Sequence, residues 1–128
     1  MKIIYDCNTK AWINFLIEEN KEELNLNIEE MWKNVEDPNS KDDILIGWCG
    51  FLYYKEMEDN TIWIKGMAVS MECMGIGTEF INILKEKNVS ILTATYSAQK
   101  FYKKNGFMDM GEVDDGKGRK ITVMGIIR

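Results

Sequence analysis

Residues 61–87 read TIWIKGMAVSMECMGIGTEFINILKEK, a β-like run, a glycine loop and a helical pattern in direct succession. The run Thr61–Val69 is rich in β-branched and aromatic residues, which favours a strand. After the loop, Phe80, Ile81 and Leu84 recur at helical spacing and predict a helix. A glycine-rich turn that leads into a helix directs backbone N–H groups outward at the positive end of the helix dipole, which suits a pyrophosphate.

The glycine loop ends in Gly75-Ile76-Gly77-Thr78. Gly75 and Gly77 lack the β-carbons that would hold a ligand away from the backbone. A single Gly-x-Gly pair is more often an ordinary turn, and the dinucleotide fingerprint with three glycines is not met. A purely structural α/β domain whose loop binds nothing therefore stays an alternative on these residues alone.

The sequence before this segment predicts strands and helices in alternation. We expect a short strand at residues 3–5, a helix capped by Asn8 or Thr9, and a second helix that starts after Asn27. Residues 44–57 are β-like, with Gly47 and Gly50 as marks of a bend or bulge, but they show no clear turn, so one strand and two strands both stay open.

The sequence after the loop continues the alternation. The patterns predict a helix from about 77 to 87, a strand at 90–95, a helix at 98–105 that Gly106 ends, and a hairpin of 107–113 with 121–127. Strands that alternate with helices in this order predict one three-layer α/β domain over residues 1–128.

The chain has no histidine, and its three cysteines, Cys7, Cys49 and Cys73, show no Cys-x-x-Cys spacing. The missing histidine excludes a Ser-His-Asp triad, a Cys-His pair and a histidine-ligated metal. The odd number of cysteines argues against a disulfide framework and a structural zinc site. We therefore expect no metal cofactor.

The formal net charge is -5, and most of the acidic excess lies in residues 1–43. An acidic chain without a basic stripe is a poor nucleic-acid binder. No apolar run approaches the roughly 20 residues that a membrane helix needs. The first residues also lack the apolar core of a signal peptide. These features predict a cytoplasmic protein that binds neither nucleic acid nor membrane.

Two blocks of the sequence resemble the GNAT superfamily of acetyl-CoA-dependent N-acetyltransferases. The first is Met67-Ala68-Val69 with the loop that ends Gly75-Ile76-Gly77-Thr78, which is similar to the family's acyl-CoA loop. The second is Ala98-Gln99-Lys100-Phe101-Tyr102-Lys103-Lys104-Asn105-Gly106-Phe107, which is similar to its recurrent Ala-x-x-Phe-Tyr-x-x-x-Gly-Phe pattern. The resemblance covers residues 61–113. It implies a three-layer α/β/α fold with a mixed, largely antiparallel sheet and flanking helices.

The resemblance also implies residue roles, with acetyl-CoA as cosubstrate. Backbone groups of Met67 and Val69 would pair with the pantetheine arm, with Ala68 between them also at the cofactor, and Tyr102 would protonate the departing thiolate. Thr95 stands where many members have an asparagine that faces the cofactor. The pyrophosphate would be held by the amides of the loop, Cys73, Met74, Gly75, Ile76, Gly77 and Thr78.

The implied reaction is direct attack of a primary amine on the thioester. The acceptor is a small-molecule or peptide amine, and the acidic charge favours a cationic one. No convincing general base stands out, although Glu56, Glu58 and Asp59 lie near a strand turn. The protein is expected to be a monomer or a homodimer.

Two features keep other interpretations open, and a third argues against a further role. Glu72 replaces the Gln or Arg that the loop motif prefers, and a carboxylate repels a pyrophosphate. This favours, as the alternative function, a catalytically weak CoA-binding or protein-interaction module of the same fold. Tyr102 is also consistent with a core tyrosine packed between Phe101 and Phe107. Cys73 is a passive loop residue rather than a nucleophile, because no histidine can activate it.

Overall fold

A six-stranded mixed sheet is the centre of the computed structural model, which describes residues 2–70 and 75–128. The strand order across the sheet is β1-β2-β3-β4-β6-β5. The pair β3–β4 is parallel, and the other neighbours are antiparallel. The strands are β1 Asp42–Gly47, β2 Gly50–Met57, β3 Thr61–Val69, β4 Ser90–Thr95, β5 Met108–Asp114 and β6 Lys120–Ile126.

Helices cover both faces of the sheet. One face carries α1 Cys7–Glu19, α2 Lys21–Leu24 and α3 Ile28–Glu36, and the other carries α4 Ile76–Lys85 and α5 Gln99–Lys104. Each face has its own apolar core: Ile17 and Met31 pack with Phe51 on the first, and Ile81 packs with Met124 on the second. The expected three-layer α/β/α fold with a largely antiparallel sheet is confirmed.

The N-terminal segment differs from the sequence prediction. Residues 3–5 form no strand, because the described backbone hydrogen bond of this segment goes to a side chain of α3. The amide of Tyr5 donates to a Glu36 carboxylate oxygen at 3.1 Å. The cap of α1 is Asp6, whose carboxylate accepts from the Thr9 amide at 2.7 Å, and neither Asn8 nor Thr9.

The structure decides the number of strands in the region 44–57. It contains two separate strands, β1 and β2, whose register closes on the pair Gly47 and Gly50. The turn between them is only Trp48-Cys49. A turn this short does not interrupt the β-like composition, so residues 44–57 look continuous in the sequence. A side chain at Gly50 would lie 2.3 Å from Val69, and this close approach to β3 explains the glycine there.

The remaining elements lie close to their predicted bounds. Helix α3 starts directly after Asn27, as expected, and Asn27 caps it by accepting from the Glu30 amide at 3.0 Å. The four-residue helix α2 has no periodicity that the sequence could reveal. Among the described residues, no helix is long and apolar enough to cross a membrane.

The cysteines require one further correction. Cys49, in the turn between β1 and β2, is disulfide-bonded, whereas Cys7 is free and exposed. The odd number of cysteines without Cys-x-x-Cys spacing argues against a disulfide framework, but it does not predict this single bond. An odd number excludes only complete pairing, and spacing along the chain does not report distances in the fold.

Two isoleucines of α4 provide a test of the core. Ile81 is fully buried, and Ile83 is 43% exposed on the same helix. We expect Ile81→Ala to lower the free energy of unfolding by about 2–5 kcal/mol, because it leaves a cavity. Ile83→Ala removes the same atoms and should cost less than about 1 kcal/mol. Denaturant unfolding measures both, and equal losses would contradict this assignment of the core.

Candidate functional site

A β-bulge in β3 opens the sheet. Tyr53 pairs with Gly66 and Tyr54 pairs with Ile64, so Lys65 is the extra residue on β3. A bulge bends its strand and increases the local twist. The pairing of β3 with β4 runs only from Thr61 to Ile64, although β3 continues to Val69. The two parallel strands therefore form a fork that starts at Lys65.

The space between the two arms of the fork is a cleft of about 320 Å³. Its walls are the parted strands β3 and β4, its base is at α5, and α2 with the residues that follow it crosses its mouth. A side chain at Gly66 would lie 3.0 Å from Leu26 and 3.2 Å from Leu24, so this glycine lets the α2 segment approach the sheet. The lining residues used below are Glu23, Trp63, Lys65, Met67, Thr93, Thr95, Tyr96 and Tyr102.

Tyr102 lies at the base of the cleft and is 5% exposed. Its ring makes edge contacts with Phe101 and Phe107, at centroid distances of 5.2 and 5.0 Å. Burial raises the pKa of Tyr102 to about 12, a hydrogen bond from Thr93 opposes the rise, and the charge of Glu23 adds to it. The phenol is therefore protonated at neutral pH. Tyr102 belongs to the apolar core and also lines the cleft.

Glu23 is the residue that the sequence patterns missed. It lies in α2 and lines the cleft, where its carboxylate accepts from the Thr95 hydroxyl at 3.1 Å. Ser97, beside Thr95, donates to it from both its amide and its hydroxyl. The acids near the β2–β3 turn lie at the other end of β3, where Glu56 pairs with Lys87 at 3.7 Å.

Lys65 is the second lining residue without a sequence signal. Its ammonium nitrogen lies 3.2 Å from a carboxylate oxygen of Asp42, which is buried in β1. The Tyr53 hydroxyl also donates to Asp42, and Lys65 lies over the Tyr53 ring at 5.3 Å. A buried carboxylate needs such partners because burial penalises its charge. The positive charge of Lys65 is thus largely neutralised by Asp42.

The start of α4 holds the glycines of the loop. Gly75 adopts a φ of 94°, and a side chain there would meet none of the residues in 2–70 and 76–128 within 4 Å. Gly77 is different, since its β-carbon would lie 3.0 Å from the Phe101 ring. Open space beside Gly75 suits the approach of a ligand, whereas the glycine at 77 is required by packing against α5.

The residues predicted for the site fall into three groups. Met67, Thr95 and Tyr102 meet in the cleft, although they come from three different elements. Ala68 packs on the α1–α3 side and Val69 on the α4 side, so their side chains do not line it. Gly75, Ile76, Gly77 and Thr78 lie at the start of α4. Cys73, Met74 and Glu72 lie outside the described residues.

Several solved structures share this architecture. Ard1 from Thermoplasma volcanium matches with a TM-score of 0.74 at 16% identity, over 98% of this chain and 95% of that chain. An acetyltransferase of the GNAT family from Staphylococcus aureus Mu50 matches with a TM-score of 0.63 at 23% identity, over 96% and 95%. The fold is that of the GNAT acetyltransferases.

A third neighbour, an acetyltransferase, carries a ligand. It is a Bacillus anthracis structure in complex with acetyl coenzyme A, with a TM-score of 0.60 at 20% identity over 77% of this chain and 68% of that chain. No protein-family model matches the chain, and no curated protein matches it either. The GNAT fold therefore rests on structure, at identities too low for the activity to be carried over directly.

The contact between Gly77 and Phe101 can be tested by a double-mutant cycle. Gly77→Ala should destabilise the protein because its methyl group overpacks the Phe101 ring, which typically costs about 1–3 kcal/mol. In a Phe101→Leu background the same change should be neutral or stabilising, since alanine has the better helix propensity by up to about 1 kcal/mol. Denaturant unfolding of the four proteins measures the coupling. Additive effects would show that the two residues do not touch.

Proposed function

We propose that the protein is an N-acetyltransferase that transfers the acetyl group of acetyl-CoA to a primary amine. The observation that carries the proposal is the protonated Tyr102 phenol at the base of a cleft between two parted parallel strands. The GNAT fold, with a neighbour crystallised with acetyl coenzyme A, supports the same reaction.

The residues present fit acetyl-CoA. The first amides of a helix have no partner within it, so those of Ile76, Gly77 and Thr78 at the start of α4 suit a pyrophosphate. Cys73, Met74 and Gly75 would complete this loop. Beyond Ile64, β3 is not paired with β4, and alternate residues of an antiparallel pair face away from the partner strand. Because the Ser70 amide donates to Cys49, Ala68 faces β2, and the backbone groups of Met67 and Val69 are left for the pantetheine arm. Thr95 faces the same fork.

Bound acetyl-CoA supplies an activated thioester to which an amine can add directly. Tyr102 then acts on the sulfur. A thiol of this kind has a pKa near 8.5, so complete proton transfer from a phenol with a pKa of about 12 is uphill by about 5 kcal/mol. We infer that Tyr102 donates a hydrogen bond to the sulfur while its negative charge develops, and that proton transfer completes late in the step.

Calorimetric titration with acetyl-CoA tests the cofactor. We expect micromolar binding, and Gly75→Ala should weaken it about 10-fold, because its methyl group enters the space proposed for the pyrophosphate. Gly116→Ala is the matched control, since Gly116 also has a positive φ, of 83°, and open surroundings in the distant β5–β6 hairpin. Absence of binding at millimolar acetyl-CoA would refute the proposed function.

Substitution of Tyr102 tests the leaving-group role. Tyr102→Phe should lower kcat by about 10²-fold or more with little change in acetyl-CoA affinity, because the ring remains and only the donor is lost. Tyr54→Phe is the control, since Tyr54 is also a buried tyrosine but does not line the cleft. A Tyr102→Phe protein with unchanged kcat would remove Tyr102 from the mechanism and leave it as a core residue. Binding without any acetyl transfer by the unmodified protein would favour the CoA-binding module.

A further inference from the structure

Glu23 joins the short helix α2 to the turn between β4 and α5. One carboxylate oxygen accepts from the Thr95 hydroxyl at 3.1 Å and from the Ser97 amide at 3.2 Å. The other accepts from the Ser97 hydroxyl at 2.8 Å. The Thr95 oxygen in turn accepts from the Ala98 amide at 2.9 Å. These bonds fix the carboxylate at the wall of the cleft.

The bonding capacity of the carboxylate is not exhausted by these partners. An ionised carboxylate offers about four lone-pair sites, and three protein donors use three of them. Glu23 is only half-buried and lines the cleft. One acceptor position thus remains for a donor that enters the cleft.

Among the described residues, no ion pair within 4 Å neutralises Glu23, although Arg119 lines a neighbouring surface pocket with it and lies over the Tyr96 ring at 4.0 Å. Hydroxyl and amide donors stabilise a carboxylate but do not neutralise it. Lys65 is the other charged residue among the described residues that line the cleft, and its ammonium group lies 3.2 Å from Asp42. The described lining therefore carries a net charge of about -1 once this pair is counted, and a cation gains more from it here than in open water.

Glu23 is close to the groups that the proposed reaction uses. Its partner Thr95 lies on β4 two residues after Thr93, on the same face of the strand, and Thr93 bonds to Tyr102. Glu23 acts electrostatically on Tyr102 itself. A cation held by Glu23 would lie beside the end of the fork at which Tyr102 meets the sulfur.

We propose that Glu23 binds the ammonium group of the acceptor and selects alkylamines, which are protonated at neutral pH, as substrates. This inference rests on the proposed acetyltransferase function. The ammonium group donates to the free position of the carboxylate, and it loses one proton to water before the neutral nitrogen attacks the thioester. The nitrogen loses a second proton as the amide forms, which balances the proton that Tyr102 gives to the departing sulfur. Hydrogen bonds to charged groups are typically worth about 1.5–3 kcal/mol, which corresponds to about 10–100-fold in affinity.

A brace between α2 and the β4–α5 turn is the other role that these contacts allow. The two roles differ in one respect, because a brace serves every acceptor equally, whereas an ammonium site serves only charged ones. Glu23→Gln keeps the shape and an acceptor oxygen while it removes the charge. Glu22→Gln is the matched control, since Glu22 is the exposed neighbour on α2 and does not line the cleft.

The experiment compares two acceptors of similar size, benzylamine, which is protonated at pH 7, and aniline, which is not. Thiol release from acetyl-CoA gives kcat and KM for the unmodified protein, Glu23→Gln and Glu22→Gln. We expect Glu23→Gln to lower kcat/KM for benzylamine about 10–100-fold, mainly through KM, and to change aniline less than about 3-fold. Glu22→Gln should change neither.

A second readout does not depend on turnover. With CoA bound, NMR titration should give a benzylamine Kd that Glu23→Gln raises and Glu22→Gln does not. Equal losses for benzylamine and aniline, or no loss for either, would overturn the ammonium site while leaving the acetyltransferase function intact. If the unmodified protein binds no acetyl-CoA and acetylates neither amine, the proposed function fails, and this inference fails with it.

Discussion

The bulge at Lys65 is the constraint on which the rest of the site depends. Without the extra residue, β3 would stay paired with β4 beyond Ile64. The continuous sheet would then leave no cleft between the two strands. The bulge also changes which residues face each layer, so that Ile64 packs with α4 whereas Ala68 packs with the opposite core. One inserted residue thus separates two strands and supplies both faces of the sheet with apolar side chains.

The cleft is built from groups whose burial is compensated in different ways. Tyr102 is buried among aromatic rings and stays protonated, so its burial carries no charge penalty. Asp42 is buried as a carboxylate and has Lys65 and Tyr53 as partners. Glu23 has only neutral donors, so its charge remains available to the cleft. Tyr102 is neutral and Glu23 is charged, so we assign Tyr102 to the departing sulfur and Glu23 to the acceptor ammonium group.

Local sequence patterns predicted most elements well because their causes are local. The stripe of α3 and its Asn27 cap, the strand 90–95 and the final hairpin are set by residues a few positions apart. The prediction failed where a distant partner decided the outcome. Residues 3–5 are β-like in composition, but the Tyr5 amide bonds to Glu36 instead. The tight turn at Trp48 is marked in the sequence only by Gly47 and Gly50, which also suit a bend or bulge within one strand.

The sequence by itself determined the fold class, because the periodicity of each element is a property of neighbouring residues. Through the family resemblance it also predicted Met67, Thr95 and Tyr102 as site residues. Only the tertiary structure decided the charges around them. Glu23 lies 72 positions before Thr95, and Lys65 lies 23 positions after Asp42. Which charges meet in a cleft depends on how strands and helices pack across such separations, and no local pattern encodes that.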